Sequence, residues 1–319
     1  MPPRFVPAWW LAHAHLQTVY ASIGAPVPPV ALRRERWDTP DGDFVDVDFV
    51  DGPATAPWVQ LFHGLEGSSR SSYARMLMHH VRLRGWRGSV MNFRGCTGEP
   101  NRLPRAYHSG DSDEIDWVLR RLRERVGETP LHAAGVSLGG NALAKWLGER
   151  GVGAAGVVTS AATVCAPLDL TAAGEALERG LARMYTRHFL QTLRPNAIDR
   201  LDRFPGLYDA DAVRRSRTFR HFDDVVTAPL HGFRDAEDYW MRASAKPWLT
   251  RIHVPTLILN ARDDPFLPES ALPTEREVSA AVKLEFPARG GHCAFVSGPF
   301  PGNIEWLPRR LLHFFEHRE

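Results

Sequence analysis

The residues with the clearest chemical potential are Gly135-Val136-Ser137-Leu138-Gly139, a serine held between glycines where a short apolar run meets an amphipathic pattern. A serine hydroxyl is a poor nucleophile until something presents it, takes its proton and stabilises the oxyanion it creates. Residues 131–136 read as a buried strand of small residues, and 138–150 as a helix with Leu143 and Leu147 on one side and Gly151 as its stop. Ser137 then stands at a strand-to-helix turn. Gly135, Gly139 and Gly140 suit such a turn, because strand and helix must approach closely around a strained serine. The N–H of Leu138, at the helix start, points where negative charge would develop. A pentapeptide of this kind also arises by chance, and a serine that merely caps the helix would look the same, so the weight falls on the other groups the chemistry needs.

A second oxyanion donor is expected from the loop after an earlier strand. Residues 58–62 run into His63-Gly64-Leu65-Glu66-Gly67, where Gly64 lets the backbone turn back and the N–H of Leu65 face the serine. His63 is expected to shape that loop and take no proton. The general base must come from fourteen histidines. His253 precedes a strand pattern, His79 and His80 fall within a helix, and His313 and His317 ride the last helix. His292, in Arg289-Gly290-Gly291-His292-Cys293, lies instead on a glycine loop past the last strand pattern, at the edge of the sheet that carries the serine. An acid must orient that imidazole. Asp263 and Asp264 both follow the strand pattern of 256–260, and either could serve. The spacing from Asp264 to Pro268 fits the loop found in hydrolases, so Asp264 is assigned and Asp263 is left to form the loop. The order Ser137, Asp264, His292 is that of α/β-hydrolases.

These groups need a scaffold. Short apolar runs at 58–62, 89–93, 131–136, 156–160, 255–260 and 283–286, mostly separated by helical patterns, predict a mainly parallel sheet covered on both faces. A hairpin is expected ahead of it, with 31–37 and 44–50 flanking Thr39-Pro40-Asp41-Gly42. The helix from Asp111 carries Asp111 and Glu114 as a capping box and Ile115, Val118, Leu119, Leu122 and Val126 on one face. Its arginines read as a solvated face. Residues 7–21 are expected to form an aromatic-rich arm packed on the body, with His13 and His15 two apart and so pointing in different directions on a helix. Between 160 and 255 no strand is expected, far more chain than a crossover needs, so 169–246 reads as a helical cap inserted between core segments 1–168 and 247–319. Within it, Asp223, Asp224 and Asp235 are expected as caps or ion pairs. The fold class expected is α/β, of the α/β-hydrolase fold, with a helical cap.

Composition sets the outer limits. With 319 residues, 44% of them hydrophobic and 24% charged, the chain is expected to be an ordinary soluble protein. Its net charge of +2 and a basic set that is nearly all arginine call for no nucleic acid. Cys96, Cys165 and Cys293 are an odd number without a C-x-x-C pair, so neither a disulfide framework nor a structural zinc site is expected, and a reducing cytoplasm is. No run of 18 apolar residues occurs, so no membrane span is expected, nor a secretory signal.

Further motifs extend the pattern. They are His15-Leu16-Gln17-Thr18, His63-Gly64-Leu65-Glu66-Gly67, Phe93-Arg94-Gly95-Cys96-Thr97-Gly98-Glu99-Pro100-Asn101, Tyr107-His108-Ser109-Gly110, Thr227-Ala228-Pro229-Leu230-His231-Gly232-Phe233 and Asn260-Ala261-Arg262-Asp263-Asp264-Pro265-Phe266. With them the chain resembles the YheT-like branch of the α/β-hydrolases over nearly its whole length. That resemblance implies acyl-ester chemistry through a Ser-Asp-His triad, in a branch that includes medium-chain acyl ester synthase/esterases and lipid-acting hydrolases. Its eukaryotic members often carry an N-terminal membrane anchor, and none is expected here. Arg94 or Asn101 could line the pocket and Cys96 could touch an acyl chain, but Arg94 is better read as bracing its loop.

The function expected is a serine carboxylic-ester hydrolase on a small-molecule acyl ester, with Ser137 as nucleophile, His292 as base, Asp264 as orienter, Leu65 and Leu138 as oxyanion donors, and no metal or organic cofactor. Acyl transfer to an alcohol and thioester cleavage are open to the same acyl-enzyme. A binding module on an inactive hydrolase fold is the reading from another class.

Overall fold

A computed structural model describes residues 4–319. Its centre is one eight-stranded sheet, in the order β1-β2-β4-β3-β5-β6-β7-β8. The strands are β1 (Arg33–Asp38), β2 (Phe44–Val50), β3 (Trp58–Phe62), β4 (Arg87–Asn92), β5 (Leu131–Val136), β6 (Ser160–Val164), β7 (Thr256–Leu259) and β8 (Val282–Glu285). The first two are antiparallel to their neighbours, and β3 to β8 are parallel, as continuous apolar strands alternating with helices require.

The expected hairpin is β1 and β2, with one difference. All seven residues of β2 are buried, Asp46 and Asp48 included, because β1 and β4 flank it on both sides. The register sets Arg36 opposite Asp46 and Arg34 opposite Asp48, and each guanidinium holds its carboxylate through two hydrogen bonds. Such forked pairing is what permits carboxylates inside a sheet.

The helices are α1 (Ala14–Ile23), α2 (Ser72–Leu83), α3 (Ser112–Val126), α4 (Leu138–Arg150), α5 (Leu170–Leu177), α6 (Arg183–Arg203), α7 (Ala210–Arg215), α8 (Phe219–Phe222), α9 (Ala228–His231), α10 (Ala236–Ala243) and α11 (Trp306–His317). The sheet is covered on both faces. α3 and α4 bury Ile115, Val118, Leu122, Leu143 and Leu147 on one side, and α2 and α11 bury Leu77, Val81, Leu311 and Phe315 on the other. Six helices, α5 to α10, fill the interval between β6 and β7, with a π-helical turn at Asp223–Thr227.

Three local expectations are corrected. The strand read at 156–160 forms at Ser160–Val164, because Gly151–Gly156 winds into a 3₁₀ turn and Val157 and Val158 follow it outside the sheet. Asp111 is the N-cap of α3 but makes no capping hydrogen bond; Arg105 takes its carboxylate, and Glu114 is held by Arg94. His13 lies outside α1 as its extended N-cap, so its ring stacks on that of His15 at 5.4 Å and does not diverge from it. The N-terminal arm itself packs as expected: Ala8 N–H donates to Val296 O, and Trp10 Nε1–H donates to Gly298 O.

Candidate active site

Ser137 is the residue between β5 and α4. Its φ of 53° and ψ of −121° lie where side-chain-bearing residues rarely go. Close packing accounts for the turn. A Cβ on Gly139 would stand 2.5 Å from the carbonyl oxygens of Phe62 and His63, and one on Gly135 2.5 Å from that of Gly139. Glycine at both places lets α4 begin directly against β3 and β5. The N–H of Ser137 donates to Val164 O at 2.8 Å, which fixes the serine to the end of β6.

The loop after β8 brings His292 to this point. Its Nδ1 stands 2.9 Å from Asp264 Oδ2 and 3.1 Å from Oδ1, and its Nε2 stands 3.0 Å from Ser137 Oγ. A ring that donates from Nδ1 to the carboxylate keeps Nε2 as acceptor for the serine hydroxyl. The Asp264 side chain is fully buried and also accepts from Phe266 N–H at 2.8 Å. Asp263 points elsewhere. It accepts from Gly291 N–H at 2.9 Å and so shapes the histidine loop, while burial pushes its carboxyl pKa up.

Two further contacts hold His292, one on its backbone and one on its ring, from residues whose sequence motifs gave them no role. Thr18 Oγ1, on α1, accepts from His292 N–H at 2.9 Å while donating to Ala14 O. The Phe266 ring lies parallel to the imidazole, 3.8 Å away with 7° between planes, and packs in turn on Tyr185 and Phe189 of α6. His292 is therefore held by α1, by the loop after β7 and, through Phe266, by the helices between β6 and β7.

The loop after β3 lies against the serine: a Cβ on Gly64 would stand 3.0 Å from that of Ser137. The N–H of Gly64 donates to Tyr73 Oη at 2.9 Å and that of Glu66 to Tyr107 Oη at 2.8 Å. Among the described residues no protein group accepts from the N–H of Leu65 between them, or from that of Leu138. Two tyrosines thus take up the donors on either side of Leu65. Tyr73 was invisible in the sequence, and Tyr107 stood in a motif without a role. His63 behaves as expected. Its Nδ1 bonds Gly64 O at 2.7 Å, its Nε2 accepts from Phe93 N–H at 3.0 Å, and burial lowers its pKa to about 4. It is a neutral strut.

Arg94 and Asn101 are struts as well, although both border the cavity. Arg94 is bound by Asp41, Asp43 and Glu114, and Asn101 by Asp43, Phe44 and Gly95. Asp224 and Asp235 accept backbone N–H groups at α10, as expected of caps, whereas Asp223 accepts from Trp240 Nε1–H and Thr227 and borders the cavity too.

A cavity of about 350 Å³ opens beside Ser137 and His292. Leu177, Phe189, Phe219 and Trp240 give it an apolar wall from the helices between β6 and β7. Burial holds three of its members toward their neutral forms, with the His108 and His231 pKa values lowered to about 3 and that of Asp223 raised to about 6, while Glu66, Arg94, Arg105, Arg200 and Arg203 also border it.

Fold and site together define a class. The sequence profile described as alpha/beta hydrolase fold matches residues 57–299. The chain belongs to that family, within its YheT-like branch. It is 39% identical over 313 residues to "Putative esterase YheT" of Escherichia coli (strain K12), covering 97% of this chain and 92% of that one. It is 30% identical to "Phospholipase ABHD3" of Mus musculus over 98% of this chain and 78% of that one. The fold also matches the solved esterase EaEST from Exiguobacterium antarcticum, with a TM-score of 0.57 at 16% identity, over 89% of this chain and 100% of that one. No helix of the described residues is long and apolar enough to cross a membrane.

Proposed function

We propose that this protein is a serine carboxylic-ester hydrolase acting on short- to medium-chain acyl esters. The observation that carries the reading is the unbroken hydrogen-bonded line from Asp264 through His292 to Ser137 at the floor of an apolar cavity. His292 Nε2 takes the hydroxyl proton as Ser137 Oγ attacks the ester carbonyl. The N–H groups of Leu65 and Leu138 receive the oxyanion, each worth about 3 to 4 kcal/mol in the transition state. Collapse expels the alcohol, which takes the proton from His292 and leaves an acyl-enzyme. Water, deprotonated by the same imidazole, then releases the acid. Asp264 keeps the ring in the tautomer these transfers need and stabilises its cation. No step calls on a metal or an organic cofactor.

Residues 169–246 act in this reading as a cap whose apolar side chains receive the acyl chain. Three free thiols fit a reducing compartment, and we assign the protein to the cytoplasm. The wild type should hydrolyse p-nitrophenyl esters somewhere along a series from acetate to palmitate, and Ser137→Ala should reduce that rate to background. An undiminished rate in folded Ser137→Ala would end the proposal.

A further inference from the structure

Behind the nucleophile lies a cluster of which ester hydrolysis uses one member only. Cys165 follows β6 and Cys293 follows His292, and the fold brings all three together. Each offers a ligand atom, and the three atoms lie within 4.8 Å of one another. Both cysteines have a positive φ, 47° and 58°, so the backbone bends sharply at each. The N–H of Cys293 donates to Cys165 Sγ at 3.2 Å, Cys165 Sγ faces Gly291 O at 3.8 Å, and Cys293 Sγ faces Val164 O at 3.9 Å. Val164 O also accepts the N–H of Ser137. The two sulfurs therefore sit at the junction of the serine turn and the histidine loop. Cys165 borders the same cavity as Ser137 and His292, which supplies a route from solvent.

Two thiols and an imidazole are the donor set of a tetrahedral site for a soft or borderline divalent cation. Zinc binds thiolate sulfur at about 2.3 Å and imidazole nitrogen at about 2.0–2.1 Å, which places its donors roughly 3.5–3.8 Å apart. An ion at this point needs donors now within 4.8 Å of one another to close by about 1.3 Å at most. His292 already has the partner that metal-bound imidazoles have: a carboxylate on Nδ1, which orients the ring and enriches Nε2. Nε2 is also the nitrogen that faces Ser137 Oγ.

We propose that Cys165, Cys293 and Nε2 of His292 form a site for a thiophilic divalent cation of the zinc and cadmium class, and that its occupation takes the base away from Ser137. Binding is a coordination step without electron transfer. Two S–H bonds give up their protons to solvent, two metal–sulfur bonds and one metal–nitrogen bond form, and the Ser137 to Nε2 hydrogen bond is lost. Ser137 Oγ, water or chloride completes the tetrahedron. Hard cations such as magnesium gain nothing from sulfur and should leave the enzyme untouched. The loss of activity rests on the hydrolase reading above; the binding itself does not.

The test is a cadmium titration of the reduced, metal-free protein. The ultraviolet cadmium–thiolate absorption is recorded together with bound metal per chain and, in parallel, p-nitrophenyl ester hydrolysis. The expected result is one ion per chain, with the thiolate band rising as activity falls and both reversed by a chelator. Cys165→Ser and Cys293→Ser, and their alanine counterparts should a serine variant fail to fold, should weaken the band and lower cadmium affinity at least about tenfold, and the ester hydrolysis each variant shows without metal should resist cadmium by the same factor. Cys96→Ser should behave as wild type. A wild-type protein without the band, or cysteine variants that bind and are inhibited like wild type, would overturn the proposal. A full band and one ion per chain in a protein without esterase activity would support the site while removing the function proposed above.

Discussion

His63 follows β3 and precedes a glycine; His292 follows two glycines in the loop beyond β8. Both lie at the carboxyl edge of the parallel strands, His63 beside the glycine that packs on Ser137 and His292 bonded to Ser137 itself, and the two rings meet different partners. Both nitrogens of His63 are bonded to backbone atoms, and the ring is wholly buried. Such a ring has no free lone pair and no acid to stabilise its cation, so it holds a loop in shape. His292 has a carboxylate on one nitrogen and a hydroxyl on the other, beside a cavity. Its proton has somewhere to come from and somewhere to go. What a histidine can do is decided by the partners of its two nitrogens.

Removing the rings separates the two most strongly. His292→Ala should lower the rate of ester hydrolysis by about 10⁴- to 10⁶-fold, as losses of a triad member do. His63→Gln should retain activity within about tenfold and show its damage in thermal or denaturant unfolding. Equal losses of activity from two folded variants would erase the distinction.

The paired aspartates sharpen it at the next level. Asp264→Asn should cost about 10⁴-fold, because the ring loses the partner that fixes its tautomer. Asp263→Asn removes an acceptor for Gly291 N–H and should cost about tenfold or less. The reverse order, measured on folded proteins, would move the orienting role to Asp263.

Acid provides the smallest and most specific contrast. Burial lowers the His63 pKa from 6.5 to about 4, so between those values the unfolded chain takes up a proton that the folded one refuses. The stability this ring permits is intact above pH 6.5 and is lost as pH falls toward 4, on the order of 3 kcal/mol in all. Denaturant unfolding of wild type and His63→Gln should therefore converge in stability on acidification across that window. Parallel curves would mean that His63 is not held neutral.

Much of this site could be read from the chain because its members carry local signals. Glycines around Ser137 and His292 mark places where backbone must turn or approach closely, and an aspartate after a continuous apolar strand has few places to be. The parallel core was legible for the same reason. β6 was not, because Val157, Val158 and Thr159 have the side chains of a strand, while the residues that form it, Ser160-Ala161-Ala162-Thr163-Val164, are mostly small and are selected by the space between β5 and β7. The partners of long reach left no sign of their roles: Thr18, Phe266 and Tyr107 stand in motifs that do not say what they touch, and Tyr73 stands in none. Thr18 meets His292 from 274 positions away, Phe266 stacks on the same ring from another loop, and Tyr73 and Tyr107 cap N–H groups on either side of Leu65. Periodicity and turn chemistry describe neighbours in sequence, and these contacts exist only after the sheet has closed. The meeting of Cys165 with Cys293 belongs with them: 128 positions separate the two, without a ligand motif between.

The central claim is that His292, and not His63, activates Ser137. A fluorophosphonate probe followed by peptide mass spectrometry tests it most directly. The protein should carry one adduct, on Ser137, formed rapidly in wild type and in folded His63→Gln and reduced to background in His292→Ala. An adduct on another residue, or undiminished labelling of Ser137 in His292→Ala, would contradict the account.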